Sequence, residues 1–289
     1  MKSATLPAQI ILFSLIWSSA FIAGSIALTS FDPYTLLTVR FAISVILIMI
    51  IIAVQRGNPI DLSAIKYGLA LGALNNALYL GFSFAALQEV RPQVVIVIVS
   101  CAPLVTALLS AWSGVERISL KKLLGAGLGL AGVLIITASP SDVGIDLKGV
   151  LLATVGMAAF ATGTVLFRGK GTNMPVLQVN LWQSVSGAGL LFPISLVYGH
   201  SFGNTSINAI LSLLYLIVVV TIGGMSLWMI LIRKSGATTA SSYHLLNPFF
   251  GAMLSYVVLG DPLRANDFAG AVLISLGLLL TNQHQSEKA

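Results

Sequence analysis

The chain has 289 residues, 57% of them hydrophobic and 8% charged, with a net charge of +6. Soluble domains carry roughly 25% charged residues, so this composition excludes a cytosolic enzyme, a nucleic-acid binder and a disordered chain, and leaves a polytopic membrane protein. One span takes about 20 apolar residues, so ten spans would use roughly 200 and leave under about ten for each loop or tail.

In chain order, the apolar runs predict an all-α membrane protein of ten helices near residues 7–28, 33–54, 65–86, 92–112, 121–138, 148–167, 176–198, 208–232, 237–259 and 267–283. Helix 1 follows Lys2 and has the look of a signal peptide around Ser18, Ser19 and Ala20. Its apolar run continues past them, so it is read as a span, with Trp17 near mid-depth. Helix 2 opens at Asp32-Pro33 and holds Arg40 about 10 Å below its outer end, where it can snorkel or pair with Asp32. Helix 3 places Asn75, Tyr79 and Ser83 at four-residue spacing, a single stripe on one face, with Asn76 at the same level. Helix 4 repeats Gln93, Ser100 and Ala107 at seven-residue spacing and contains Pro103. Its Cys101 is the single cysteine, so no intramolecular disulfide forms, and it reads as a packing residue.

Gly68 and Gly72, then Gly125 and Gly129, form GxxxG pairs, read first as packing within the chain and second as contacts of a homodimer. Helix 6 brings Phe160 and Thr164 to mid-depth, and helix 8 offers Met225 and Trp228 on the cytoplasmic side. In helix 9, Tyr243 reaches Asn247 at i, i+4, while His244, Asn247 and Gly251 share a face. Pro103 and Pro248 leave carbonyls unpaired inside predicted helices, and are candidates for hinges or for static kinks.

Basic residues set the orientation. The N-terminal tail, the even gaps and the C-terminal tail hold Lys2, Arg56, Lys66, Arg117, Lys121, Lys122, Arg168, Lys170, Arg233, Lys234 and Lys288. The odd gaps hold Arg91, Lys148 and Arg264. Both termini are therefore expected in the cytoplasm. The +6 is a topology signal.

Compared with itself at an offset of 145 residues, the chain pairs Pro103 with Pro248, Ser110 with Ser255, Glu116 with Asp261, Gly125 with Gly270 and Gly132 with Gly277. Earlier positions pair more loosely: Ala20, Phe21 and Gly24 with Ala159, Phe160 and Gly163, and Pro33 with Pro175. Two halves, 1–140 and 141–289, would each carry an odd number of helices, so the second must lie inverted in the membrane. Arg117, Lys121 and Lys122 correspond to Pro262, Asn266 and Asp267, as opposite orientations require. Inverted repeats of this kind mark secondary transporters.

A Pro-containing helix, an acidic residue at a short turn and a Gly-rich last helix recur in each half, as Pro103, Glu116, Gly125 and Gly132 and again as Pro248, Asp261, Gly270 and Gly277. In this the chain resembles the drug/metabolite transporter superfamily with its EamA-type repeats, and within it bacterial inner-membrane amino-acid exporters of the YddG or threonine-exporter type. The resemblance implies export of a small metabolite, a peripheral or dimerising role for helices 5 and 10, and a counterpart for Arg40 in the family's basic residue on helix 2. In the second half that position is Trp182.

Amides, hydroxyls and aromatic rings converge at mid-depth, where polar groups are costly. The expected cavity is lined by Trp17, Asn75, Tyr79, Ser83, Gln93, Ser100, Phe160, Thr164, Trp228, Tyr243, His244 and Asn247. Amides serve carboxylate and ammonium groups alike, and rings offer stacking, so a neutral amino acid would suit it. Multidrug or nucleotide-like export remains open, as does a non-transporting subunit. An intramembrane enzyme lacks its signature, since there is no HExxH and all nine carboxylates fall at span ends, loops or tails. No catalytic residue, metal or cofactor is expected. Gly163 to Gly169-Lys170 departs from a phosphate-binding loop in spacing and in the Gly171 that follows, so ATP is not a direct energy source. His244 is left either as a proton carrier or as a neutral hydrogen-bonder.

Overall fold

A computed structural model describes residues 5–55, 60–90, 95, 98–117, 119–137, 146–199, 205–259 and 265–286. Gln93 and Asp261 lie outside them. The described residues are helical throughout their long segments: α1 (Thr5–Ala27), α2 (Pro33–Val54), α3 (Leu62–Glu89), α4 (Ile98–Trp112), α5 (Leu120–Thr137), α6 (Leu147–Gly171), α7 (Val176–Tyr198) and α8 (Ile207–Ser235). After these, α9 comprises Ala237–Ser242, Tyr243–Leu246 and Asn247–Leu259, and α10 is Ala265–Ser286. Six of them (α1, α2, α3, α6, α7 and α8) are long and apolar enough to cross a membrane, and Ile98–Trp112 and Phe268–Thr281 are shorter apolar stretches.

Short polar residues begin several of these helices by accepting from their otherwise unpaired first N–H groups. Asp32 accepts from Tyr34 and Thr35 ahead of α2, Asp61 from Ser63 and Ala64 ahead of α3, and Asp146 from Lys148 and Gly149 ahead of α6. The burial pattern is that of a protein in lipid. Leu62, Leu120, Leu196, Val197 and Leu279 are exposed, whereas Asn75, Asn180, Gln183 and His244 are buried.

Helix 3 and helix 8 are not regular. Gly72–Leu80 in α3 and Leu216–Gly224 in α8 are π-helical, and α6 ends in a π turn over Phe167–Gly171. In α9 the stretch Tyr243–Leu246 tightens to a 3-10 turn. Pro103 is the second residue of the regular segment Ala102–Trp112, which follows a turn at Cys101, and Pro248 is the second residue of Asn247–Leu259. Both prolines were expected inside continuous helices. Each instead opens a new segment, where its missing N–H removes no hydrogen bond. The proline that does stand inside a regular helix is Pro193 of α7.

α1 packs on α8 and α9, α7 packs on α2 and α3, and α3 packs on α6. α5 and α10 lie against each other. Their glycines make that crossing. A Cβ on Gly125 would stand 2.5 Å from the Gly277 carbonyl oxygen, and one on Gly132 would stand 2.6 Å from that of Gly270. Gly68 and Gly72 bring α3 equally close to Trp182 and Gln183 of α7. Both GxxxG pairs therefore join helices of one chain.

At one end of the bundle the connections after α4, α6 and α8 meet. Glu116 accepts from the Ala237 and Thr238 N–H groups at 2.6 and 3.3 Å, capping α9 where Gly236 turns the chain at φ +84°. The same carboxylate lies 3.5 Å from Arg168 and 3.7 Å from Lys122. Arg168 donates to the Arg233 carbonyl, and Arg233 to that of Met174. Lys148 and Glu89 pair between the third and fifth gaps.

Candidate functional site

The predicted stripe of α3 falls in its π segment, which sets Asn75, Asn76 and Tyr79 against the neighbouring helices; widened turns of this kind are frequent at functional sites. Asn75 donates its amide N–H to Gln183 Oε1 at 3.1 Å, and Asn76 donates to the Gln183 carbonyl at 2.9 Å. Asn75 rests on Gly163 of α6, where any Cβ would collide with its side-chain oxygen. Replacing Gly163 with alanine is expected to push Asn75 off Gln183 and cost about 1–3 kcal/mol, an overpacking penalty. Thermal unfolding in detergent of Gly163→Ala, alone and with Asn75→Ala, checks this. The penalty should shrink in the double variant, and equal penalties in both backgrounds would disprove the contact.

Beside this stripe is an aromatic box around a histidine. The His244 ring lies 5.1 Å from Phe13, Trp17 and Phe160 and 4.7 Å from Trp228, edge-on to each. Phe160 stacks on Trp228 at 5.5 Å and tilts against Tyr79 at 4.7 Å. Ring edges against ring faces suit the quadrupoles of these side chains. The Asn247 side-chain amide and His244 Nδ1 lie 3.0 Å apart, a hydrogen bond whose donor follows the tautomer of the ring. His244 Nε2 and Asn247 Oδ1 are buried with no hydrogen-bond partner among the described residues. Ser18 holds α1 to this point by donating to the Asn247 carbonyl at 3.1 Å.

A partly open cavity adjoins the box; Trp17, Tyr79 and Met225 line it. Phe21, Phe41 and Phe84 supply further apolar wall, and Arg40, Ser83, Asn180 and Thr221 supply polar groups. The lining includes no carboxylate among the described residues. Arg40 does not meet Asp32, whose Oδ1 caps α2 instead. Its Nε donates to Thr221 Oγ1 at 2.7 Å, and Thr221 in turn donates to the Leu216 carbonyl five residues back, a reach set by the π segment of α8. Asn180 donates to the Thr221 carbonyl at 2.9 Å.

Of the expected residues, Trp17, Asn75, Tyr79, Ser83, Phe160, Trp228, His244 and Asn247 come together here. Two are directed elsewhere. The Tyr243 hydroxyl donates to Ser235 at 2.8 Å, since the 3-10 turn rotates it away from the i, i+4 position. Thr164 donates to the Phe160 carbonyl one turn back. Ser100 is buried on α4.

The sequence reading missed Phe13, Asn180, Gln183 and Thr221. Phe13 is four residues before Trp17 and on its face, a spacing that would have found it. Asn180 and Gln183 fall short of the count of about ten residues from the start of α7 that marks mid-depth, so a search for mid-depth groups passes them over. Their partners Asn75 and Thr221 are mid-helix in α3 and α8. Among the described residues no group of His, Cys, Asp and Glu would hold a metal ion.

The model of the EamA-like transporter family matches residues 8–138 and 147–283. The chain is 29% identical over 248 residues to the transporter YvbV of Bacillus subtilis, covering 84% of this chain and 81% of that protein. It is 25% identical over 281 residues to an Escherichia coli protein described as a "probable amino-acid metabolite efflux pump", covering 93% and 92%. It is 26% identical over 273 residues to the E. coli inner membrane transporter YedA, covering 92% and 87%. A crystal structure 19% identical in sequence shares the fold, with a TM-score of 0.79 over 94% of both chains.

Proposed function

This chain belongs to the EamA-like transporter family, and from that membership we propose that it exports amino acids, neutral or aromatic ones first, across a bacterial inner membrane. The supporting observation is the cavity with its amide, hydroxyl and aromatic walls enclosed by apolar helices. An apolar pocket with a few placed polar groups is the usual form of a small-molecule site. The name of the E. coli efflux pump points the same way.

In this reading the chain crosses the membrane ten times as two inverted halves, 1–140 and 141–289, with both termini in the cytoplasm. Alternating access moves one half against the other around the cavity. The meeting of the even-numbered connections at Glu116 and the pairing of Lys148 with Glu89 between odd ones support that topology. A cavity wall with no carboxylate among the described residues favours a facilitator or weakly coupled exporter over a carboxylate proton relay.

Overexpression is expected to raise resistance to a toxic amino-acid analogue, and Trp17→Ala and Asn75→Ala are expected to remove most of that gain. Trp17 offers the stacking surface, and a loss of about 1.4 kcal/mol corresponds to ten-fold weaker binding. Resistance unchanged by Trp17→Ala, whose ring lines the cavity, would mean that this cavity is not the transport site. Counterflow in liposomes without a pH gradient tests the coupling, since complete dependence on the gradient rules out the facilitator.

A further inference from the structure

Arg40 is 4% exposed, deep in the helical bundle, and no carboxylate pairs with it among the described residues. A buried cation without a counter-ion is costly unless something else supplies the negative charge. Among the described residues the groups around it are Thr221 Oγ1 on Nε, the Phe41 ring 5.5 Å from the guanidinium carbon, and Tyr79, which interacts with it electrostatically. Among the described residues the guanidinium's hydrogen bond is the one from Nε, and Arg40 forms part of the cavity wall. Ser83 Oγ and Asn180 Oδ1, on the same wall, have no hydrogen-bond partner among the described residues.

We propose that Arg40 binds the carboxylate of the transported molecule, which supplies the missing counter-charge. This rests on the amino-acid export reading and assigns one end of that substrate. Thr221 makes the guanidinium a shaped receptor. By holding Nε, it fixes the plane of the fork, leaving the terminal N–H groups for a planar two-oxygen anion. Thr221 is itself held by its bond to Leu216 and by Asn180. The aromatic walls at Trp17, Phe21 and Phe84 then take an apolar side chain. A substrate with no anionic group would leave the arginine uncompensated, so the site discriminates against amines and cations by the penalty of that unpaired charge.

Four probes separate the groups involved: L-phenylalanine, L-phenylalaninamide, 3-phenylpropanoate and phenethylamine, each tested for thermal stabilisation of the purified protein in detergent. Phenylalanine and phenylpropanoate are expected to raise the melting temperature, with the amide and the amine at least about ten-fold weaker, the usual loss when a charge-assisted pair is removed. Arg40→Gln should abolish the distinction between acid and amide, and Arg40→Lys should retain part of it. Should Arg40→Gln not fold, the acid–amide comparison on the wild type still decides. Equal stabilisation by acid and amide, or no stabilisation by either carboxylate, would overturn the proposal. A shift given by chloride or phosphate alone would also overturn it, making Arg40 an inorganic-anion site. Stabilisation by phenylpropanoate with no amino-acid export in cells would sink the export reading and leave the carboxylate site standing.

Discussion

Gly277→Leu is expected to lower stability by more than about 3 kcal/mol, beyond the usual cost of overpacking, and to leave little folded protein in the membrane. At this crossing even the Cβ of a side chain on Gly277 would be driven into the Gly125 carbonyl and stand 2.8 Å from the Gly129 nitrogen. The obstructing atoms are backbone, so nothing flexible moves aside. Gly127→Leu on the same α5 helix is the control, because nothing lies within 4 Å of a Cβ there. Fluorescence-detected gel filtration after a temperature series reads both. Equal melting temperatures for Gly277→Leu and the wild type would refute the crossing as drawn. A loss shared by the Gly127 variant would assign the effect to bulk in the helix and not to this contact.

Glu116→Ala is the second large effect. Its carboxylate caps α9 and lies beside Arg168 of α6 and Lys122 of α5, so one side chain holds four parts of the protein together. Hydrogen bonds to charged groups contribute roughly 1.5–3 kcal/mol each, and this carboxylate is mostly covered, at 11% exposure. Without it, the first N–H groups of α9 lose their acceptor and Arg168 and Lys122 are left facing each other. The end of the bundle where α4, α6 and α8 terminate should open more often. A cysteine placed at the buried Thr238, in a Cys101→Ser background, should react with a water-soluble maleimide at least about ten-fold faster, as a change of 1.4 kcal/mol in the opening equilibrium requires. Glu116→Gln should fall between, since its amide oxygen still accepts from Ala237 but carries no charge. Unchanged reactivity in Glu116→Ala would show that other contacts hold this end shut.

Helix positions were legible because apolar runs are long and the residues that end them, Asp32-Pro33, Asp61 and Asp146, act locally. The grouping of aromatic and amide side chains was legible from spacing: Trp17, Phe160 and His244 meet, and Asn75 lies on Gly163 of the helix that carries Phe160. What was not legible depends on neighbours. Nothing within Gly72–Leu80 specifies a π helix, and the packing against Gln183 and Gly163 that accompanies it comes from α7 and α6. The partner of Arg40 was likewise invisible. Asp32 was nearest along the chain, but Thr221 is 181 residues away and reaches it through a widened turn of α8.

Two irregular features fall at matching places along the chain, whereas the π turn over Phe167–Gly171 has no counterpart at the end of α1. The π segments Gly72–Leu80 and Leu216–Gly224 are 144 residues apart at their starts, and the regular segments opening at Ala102 and Asn247 are 145 apart. On the inverted-repeat reading, the inward-open and outward-open forms would be built by exchanging the conformations of two halves that bend at the same places. Two such forms are close to degenerate, and a substrate needs little differential affinity to shift one into the other. The gap between them is then set by residues that differ across the repeat. Arg40 opposite Trp182 is one, and the shortening of Glu116 to Asp261 is another. The resting bias of the transporter would thus be an additive property of a few unmatched side chains, adjustable one at a time without rebuilding the fold.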